Sequence, residues 1–277
     1  MSEYKIIETA ALGADNYKMV VQAPLVAKKY KPGQFVILRV VDTGERIPLT
    51  IADGDSLLGA ITLYFVAVGK TTRLLAEKQV GDTLSDVAGP LGIPSPIESF
   101  GTVVCVGGGV GIAAVYPIAR ALKKKGNTVI NIIGSKSALQ LILEEDMRRE
   151  SSRLLISTDD GSKGEKGFVT GVLKNLLQNG GKIDRVIAIG PVVMMKAVSE
   201  LTRGHNIPTV VSLNPIMVDG TGMCGGCRVV IGGQTQYACV DGPEFDGHAV
   251  DFENLALRLN SYQECEALSK NSSDPAR

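Results

Sequence analysis

The chain has 277 residues, enough for about two domains at roughly 150 residues each, and 44% are hydrophobic with no low-complexity stretch, which excludes disorder and a large multidomain assembly. Glycine is frequent, 32 residues, and with no collagen-like repeat these glycines belong in turns and ligand loops. Lys plus Arg (29) equals Asp plus Glu (29), so no overall field attracts nucleic acid or an anionic membrane surface, and neither is an expected partner.

Residues 1–98 are short β-rich runs broken by Gly, Pro and Asp: Tyr17 to Gln22, Gln34 to Val41, Ile47 to Ala52, Leu58 to Val68 and Thr83 to Ala88. Several short strands with turn signals predict a small antiparallel barrel. Arg46-Ile47-Pro48-Leu49-Thr50 couples a guanidinium to a hydroxyl at the start of a strand. Val68-Gly69-Lys70-Thr71-Thr72 ends a strand, just past Val66, and opens a helix predicted over Thr72 to Lys78. An arginine fork and a helix N-terminus are two ways to hold a pyrophosphate. Taken singly, each is equally a surface feature.

Beyond Phe100 apolar β-branched runs alternate with helical spans. Strands are predicted at Thr102 to Val106, Thr128 to Ile133, Leu154 to Thr158, Arg185 to Ile189 and Pro208 to Leu213. Helices fall between them at Ile112 to Lys125, Leu139 to Glu150, Thr170 to Gln178 and Val192 to Arg203. This is the pattern of a doubly wound parallel α/β sheet over residues 99–213. Thr102 to Ala119 carries no charge, yet it holds Gly107, Gly108, Gly109, Gly111 and Pro117, so it fits a buried strand, a glycine turn and a packed helix better than a bilayer span. Within it Gly109, Gly111 and Ala114 satisfy G-x-G-x-x-A, a turn that lets a pyrophosphate approach backbone amides. The acid expected about twenty residues later is missing, since that strand ends in Gly134-Ser135-Lys136, and NAD and NADP both stay open. Two further loops lie at carboxyl ends of predicted strands, where open α/β sheets bind ligands: Thr158-Asp159-Asp160-Gly161-Ser162 and Ile189-Gly190-Pro191. Each is equally a turn or a helix start. Met194, Met195 and Cys105 are expected to be core.

Residues 214–277 form a third, cluster-binding segment that breaks the alternation, and within it Asn214 to Gly247 is glycine- and cysteine-rich with too few apolar side chains for a core of its own. They read Asp219-Gly-Thr-Gly-Met-Cys224-Gly-Gly-Cys227 and, after eleven intervening residues, Cys239. That is the plant-type 2Fe-2S spacing C-x4-C-x2-C followed by a later Cys, with Asp219 in place of the first thiolate. The glycines suit a loop that turns amides towards anionic sulfurs. Cys265 competes with Asp219 as fourth ligand from a helix predicted over Phe252 to Leu268. A structural zinc held by Cys224, Cys227 and Cys239 with Asp219 or His248 is the sober alternative, and inert buried thiols are the blandest. His205 and His248 otherwise read as surface groups. Five cysteines in all and no charged-then-apolar leader at Met1 point to reduced thiols and a cytoplasmic protein.

Barrel, nucleotide domain and C-terminal cluster loop in this order closely resemble the iron-sulfur flavoprotein branch of the ferredoxin-reductase superfamily, over roughly Tyr4 to Leu268. Its members include electron-transfer subunits of dihydroorotate dehydrogenase and small subunits of NADH-dependent reduced ferredoxin:NADP oxidoreductases, also described as sulfide dehydrogenase subunits. The resemblance implies FAD at Arg46, Pro48, Leu49, Thr50, Val66, Gly69, Lys70, Thr71 and Thr72. It implies NAD(H) or NADP(H) at Gly108, Gly109, Gly111, Asp159, Asp160, Gly190 and Pro191, and a 2Fe-2S cluster at Asp219, Cys224, Cys227 and Cys239. Arg46 stands one residue further from Thr50 than the family's R-x-Y-S motif has it. An aspartate first ligand resembles the ferredoxin:NADP type, and four cysteines the dihydroorotate type.

The implied activity is electron transfer from a nicotinamide through FAD to the cluster, and on to a larger flavin/4Fe-4S subunit that reaches ferredoxin, with electron bifurcation a property of the complex. The cofactors supply the chemistry and the protein supplies position and potential. No residue is expected to act as general acid or base. The alternatives are a dihydroorotate dehydrogenase subunit and, from another class, a zinc-stabilised nucleotide-binding regulatory module.

Overall fold

The structure, a computed structural model, describes residues 4–179 and 181–261. The chain divides into two units. Among the described residues one comprises 4–94, 214–243 and 251–261, and the other 95–179, 181–213 and 244–250.

In the first unit β1 (Tyr4–Gly13), β2 (Asn16–Gln22), β3 (Phe35–Arg39), β4 (Arg46–Asp55), β5 (Ala60–Val66), β6 (Thr83–Leu84) and β7 (Asp86–Leu91) form one antiparallel sheet in the order β6-β1-β2-β5-β4-β3-β7. Its outer strands β6 and β7 are separated by Ser85 alone, so the sheet curls into a nearly closed barrel. Period-two alternation on β5 sends Ile61, Leu63 and Phe65 inward, where they meet Met19, Val21, Val36 and Leu38. Helix α1 (Pro24–Lys29) starts on a proline, whose fixed φ suits a first turn. Helix α2 (Lys70–Ala76) begins two residues before its predicted start and buries Leu75. The sequence pattern gives no sign of β1, because among its residues only Ile6 is buried.

In the second unit β8 (Thr102–Gly108), α3 (Gly111–Lys124), β9 (Thr128–Ser135), α4 (Glu144–Arg149), β10 (Arg153–Thr158), β11 (Glu165–Lys166), α5 (Val169–Gln178), β12 (Arg185–Ile189), α6 (Val192–Arg203) and β13 (Thr209–Ser212) build a parallel sheet in the order β11-β10-β9-β8-β12-β13. The uncharged stretch from Thr102 is the buried central strand β8 and the start of α3, and Cys105 is fully buried there. Burial, and next the carboxylate of Glu244, push the Cys105 thiol up to about 12, which leaves it an inert core group. Helix α4 is shorter than predicted because Leu143 takes a left-handed φ of 57° and interrupts the span.

The C-terminal stretch is not a body of its own, in contrast to the separate segment 214–277 that the sequence suggests. Residues 214–243 and 251–261 belong with the barrel, whereas 244–250 return to the α/β unit. The reason is the shortage of apolar side chains: the stretch has to borrow a core. Here β14 (Arg228–Ile231) and β15 (Gln234–Tyr237) form a hairpin across Gly232-Gly233, β16 (Glu244–Asp246) adds antiparallel to β13, and α7 (Phe252–Asn260) follows. The boundary between the first two domains falls after Pro94, four residues before its predicted place. The predicted extension of α7 to Leu268, and Cys265, lie outside the described residues.

A close backbone approach in the α/β unit is at Gly111, where an added Cβ would fall far inside contact distance of the Ile189 carbonyl oxygen on β12. The substitution Gly111→Ala is expected to cost about 1–3 kcal/mol by overpacking and to weaken nicotinamide nucleotide binding, read by urea denaturation and by nucleotide titration.

Candidate functional site

In the barrel unit a cleft of about 830 Å3 is lined by Glu45 to Pro48, Val68 to Thr72, Pro215 to Val218, Cys224, Gly226, Arg228, Leu255, Arg258 and Leu259. It therefore joins the two expected anion-binding loops of the barrel to the cysteine segment. Of the predicted flavin residues Arg46, Pro48, Gly69, Lys70, Thr71 and Thr72 line it, and Leu49, Thr50 and Val66 do not. Thr50 lies further along β4 on the same face as Pro48 and Arg46, by the two-residue period of a strand.

Several polar groups on these walls already have partners. Arg46 Nη2 is 3.1 Å from Asp86 Oδ2, an exposed pair worth about 0–1 kcal/mol that leaves the guanidinium able to turn to a ligand. The Thr71 hydroxyl donates to Glu45 Oε2 at 2.8 Å, and Thr72 Oγ1 accepts from the Gly69 amide at 3.0 Å. Their hydroxyls thus shape the loop, and a phosphate bound here would meet the backbone amides of the helix's first turn. Arg258 stands apart: its Nε is buried, with no acceptor among the described residues. A buried donor without a partner costs about 1–3 kcal/mol, and an acceptor on a bound ligand would remove that cost.

The cysteine segment rests against the barrel. Gly220, at φ +76°, has no room for a side chain, because a Cβ would collide with Ile37 of β3 and Leu91 of β7. Asp219 Oδ1 accepts from the Thr221 amide at 2.5 Å and Oδ2 from the Cys224 amide at 2.6 Å. These bonds, the Thr221 one foremost, lower its pKa to about 2. Cys227 and Cys239 are buried with their sulfurs 3.2 Å apart, and Cys224 is exposed. Burial and the neighbouring Cys227 push Cys239 up to about 12, so a metal bound here displaces thiol protons. The donors come in two pairs, Asp219 with Cys224 and Cys227 with Cys239. Among the described residues no three such groups converge to hold a single ion. Asp219 beside Cys224 and Cys227 beside Cys239 fit the two irons of a binuclear cluster. His248 is committed elsewhere, its Nε2 lying 3.0 Å from Thr202 Oγ1 in the α/β unit.

In that unit the glycine turn and Gly190-Pro191 meet at the switch point of the sheet, where β8 lies between β9 and β12. Gly108 and Gly190 both pack against Met194, which is half-buried, and Met195 is fully buried. Gly109, at φ +56°, faces open space, a cradle that a side chain would fill. Asp159 and Asp160 follow β10 on the same carboxyl edge, three strands from β12, about 14 Å at ~4.8 Å per strand. That span suits an extended dinucleotide. Asp160 Oδ1 accepts from the Ser162 hydroxyl at 2.6 Å and the Ser162 amide at 2.9 Å, which hold its pKa below the usual carboxylate value. Pro215 to Val218, Arg228 and Arg258 went unnoticed in the sequence. Only the G-G turn of the hairpin after Arg228 gave a local signal.

Residues 214–251 match the iron-sulfur cluster binding domain of dihydroorotate dehydrogenase B. A homologue of the electron transfer subunit of dihydroorotate dehydrogenase B (NAD(+)) from Thermotoga maritima is 47% identical, over 96% of this chain and 93% of that protein. The electron transfer subunit from Geobacillus thermodenitrificans is 34% identical, over 87% of this chain and 94% of its own length. The chain belongs to this family of electron-transfer subunits. In the solved structure of NADH-dependent reduced ferredoxin-NADP oxidoreductase, a study of flavin-based electron bifurcation, a chain 45% identical superposes with a TM-score of 0.93, covering 98% of this chain and 97% of that one.

Like its family, the protein is an oxidoreductase subunit with a ferredoxin-reductase-like fold, and its cofactors are FAD, a 2Fe-2S cluster and a nicotinamide nucleotide. An electron-transfer subunit works beside a larger catalytic subunit. The cleft with its orphaned Arg258 donor, the paired cluster donors and the cradle at Gly109 each fit the group concerned. Among the described residues no helix is long and apolar enough to cross a membrane.

The lowered pKa of Asp219 fixes the sign of a pH effect. Its hydrogen bonds support the loop above the ordinary carboxylate pKa of 3.8 and are lost as pH falls through about 2. In metal-free protein the Thr221 and Cys224 amide shifts are expected to titrate with a midpoint near 2, and Asp219→Asn to abolish that transition, both read by NMR.

Proposed function

We propose that the chain is the FAD and 2Fe-2S small subunit of a heterodimer of the NADH-dependent reduced ferredoxin:NADP oxidoreductase type. The observation that carries this reading is Asp219: a carboxylate occupies the first ligand position, fixed on the Cys224 amide at 2.6 Å. The 45% identity to a chain of that oxidoreductase supports it. The partner on this reading is a larger flavin/4Fe-4S subunit, through which electrons reach ferredoxin, and any bifurcation belongs to the complex.

When bound, the nicotinamide supplies hydride transfer, FAD converts a two-electron donor into single electrons, and the cluster carries them one at a time. The residues of the chain hold these groups in place. Gly108, Gly109 and Gly111 present backbone amides to the nucleotide pyrophosphate, with Gly190 and Pro191 as the facing wall, and Asp159 and Asp160 accept from ribose hydroxyls. Arg46 and the amides of Lys70 to Thr72, on the turn shaped by Gly69, hold the flavin phosphates, and Pro48, Leu49, Thr50 and Val66 lie along the strands nearest the rest of the flavin. Asp219, Cys224, Cys227 and Cys239 ligate the cluster. One harder oxygen donor among three thiolates changes the electron density at the iron it binds.

Protein purified anaerobically from an iron-replete host is expected to be brown, with flavin absorbance and iron and acid-labile sulfide in equal amounts. Folded, colourless material, or equimolar zinc without sulfide, would sink the proposal. Asp219→Cys is expected to change the EPR spectrum of the reduced cluster, and an unchanged spectrum would remove Asp219 from the ligand set. Copurification from the native host is expected to bring down a larger flavin and iron-sulfur subunit, and recovery of a dihydroorotate dehydrogenase would place the chain in that complex.

A further inference from the structure

Two arginines outside the ligand set hold the short turn that carries two of the cysteines. Arg228 Nη1 donates to the Gly225 carbonyl at 3.2 Å, and Arg258 Nη2, reaching across from α7, donates to the Gly226 carbonyl at 3.2 Å. These are the only two residues between Cys224 and Cys227. In a trans peptide the C=O of one residue and the N–H of the next point in opposite directions. A guanidinium on the Gly225 carbonyl therefore turns the Gly226 N–H the other way, and that N–H indeed lies 3.4 Å from Cys224 Sγ. By the same geometry the bond to the Gly226 carbonyl turns the Cys227 N–H away from Arg258.

We infer that Arg228 and Arg258 are positioning residues that set the amide-to-sulfur hydrogen bonds of the cluster, and with them its reduction potential. The inference rests on the cluster assignment proposed above. Hydrogen bonds to sulfur and nearby positive charge both favour the reduced, more negative cluster, so the two arginines raise the potential, against the anionic Asp219. Direct bonds to carbonyls give them more than a general charge effect. Gly225, at φ +68°, can present its carbonyl in this way without strain. Arg258 also lines the flavin cleft, so one side chain contacts both the cluster turn and the space assigned to FAD.

The test uses the holoprotein and the variants Arg228→Gln and Arg258→Gln, with two readouts: the midpoint potential from EPR-monitored redox titration, and exchangeable-proton couplings to the reduced cluster from ENDOR in H2O and D2O. Each variant is expected to keep its iron and sulfide. The midpoint should move to more negative values, with the double variant shifted at least tenfold in the one-electron equilibrium, about 59 mV, and the amide couplings should weaken. A shifted midpoint with unchanged couplings assigns the effect to charge alone and overturns the inference, as does an unshifted midpoint. If the glutamine variants lose iron, Arg228→Lys and Arg258→Lys, which keep a donor but not the fork, are read by the same two criteria. Loss of iron from these too overturns the inference in favour of a purely structural role. Wild-type protein without a cluster signal would defeat the functional reading itself, whereas a wild-type signal with unchanged variants defeats only this inference.

Discussion

A loop that must wrap an inorganic core has almost no apolar side chains with which to fold, so its shape depends on hydrogen bonds made to its own backbone. The carboxylate of Asp219 takes the Thr221 and Cys224 amides, and the guanidinium groups of Arg228 and Arg258 take the Gly225 and Gly226 carbonyls. Gly220 lets this turn lie flush against Ile37 and Leu91 of the barrel. Charged side chains at the periphery thus do for this segment what a hydrophobic core does elsewhere, and they suit it because charge-assisted hydrogen bonds are the stronger ones. The borrowed core belongs to the barrel, which explains why the cluster segment and the flavin loops share one cleft.

The α/β unit solves its own positioning problem by removing side chains. Gly108, Gly111 and Gly190 bring the turn after β8 against the end of β12 so closely that no larger residue fits, and Met194 fills the remaining space. The result is a backbone surface at the switch point of the sheet, with Gly109 open towards the ligand side. Asp160, held by Ser162, marks the far end of the same edge. Both cofactor sites therefore rely on main-chain donors whose direction is fixed by neighbours that touch no cofactor themselves.

Much of this was legible in the sequence, for identifiable reasons. Central parallel strands such as β8 are buried on both faces and read as continuous apolar runs, and the segment that matches the cluster-binding domain carries a local spacing of Asp219, Cys224, Cys227 and Cys239. The strand β1 escaped because only Ile6 is fully buried, and α1 because six residues starting at Pro24 leave no periodicity to detect. The partners of Thr71 and Thr72 could not be read either, since Glu45 is distant in sequence from Thr71. Arg258 was invisible for the same reason: its importance comes from a tertiary contact thirty-two residues away from Gly226. Local chemistry announces itself in sequence, whereas the side chains that orient it from another element do not.

The return of residues 244–250 to the α/β unit has a consequence for the architecture of the gene product. Strand β16 covers β13, pairing Val210 with Asp246 and Ser212 with Glu244. A chain stopped before Asn214 would leave Thr209–Ser212 as a bare sheet margin, open to pairing with other molecules. The tail is thus not a detachable appendage: removing it would uncover a sticky flank on the dinucleotide half.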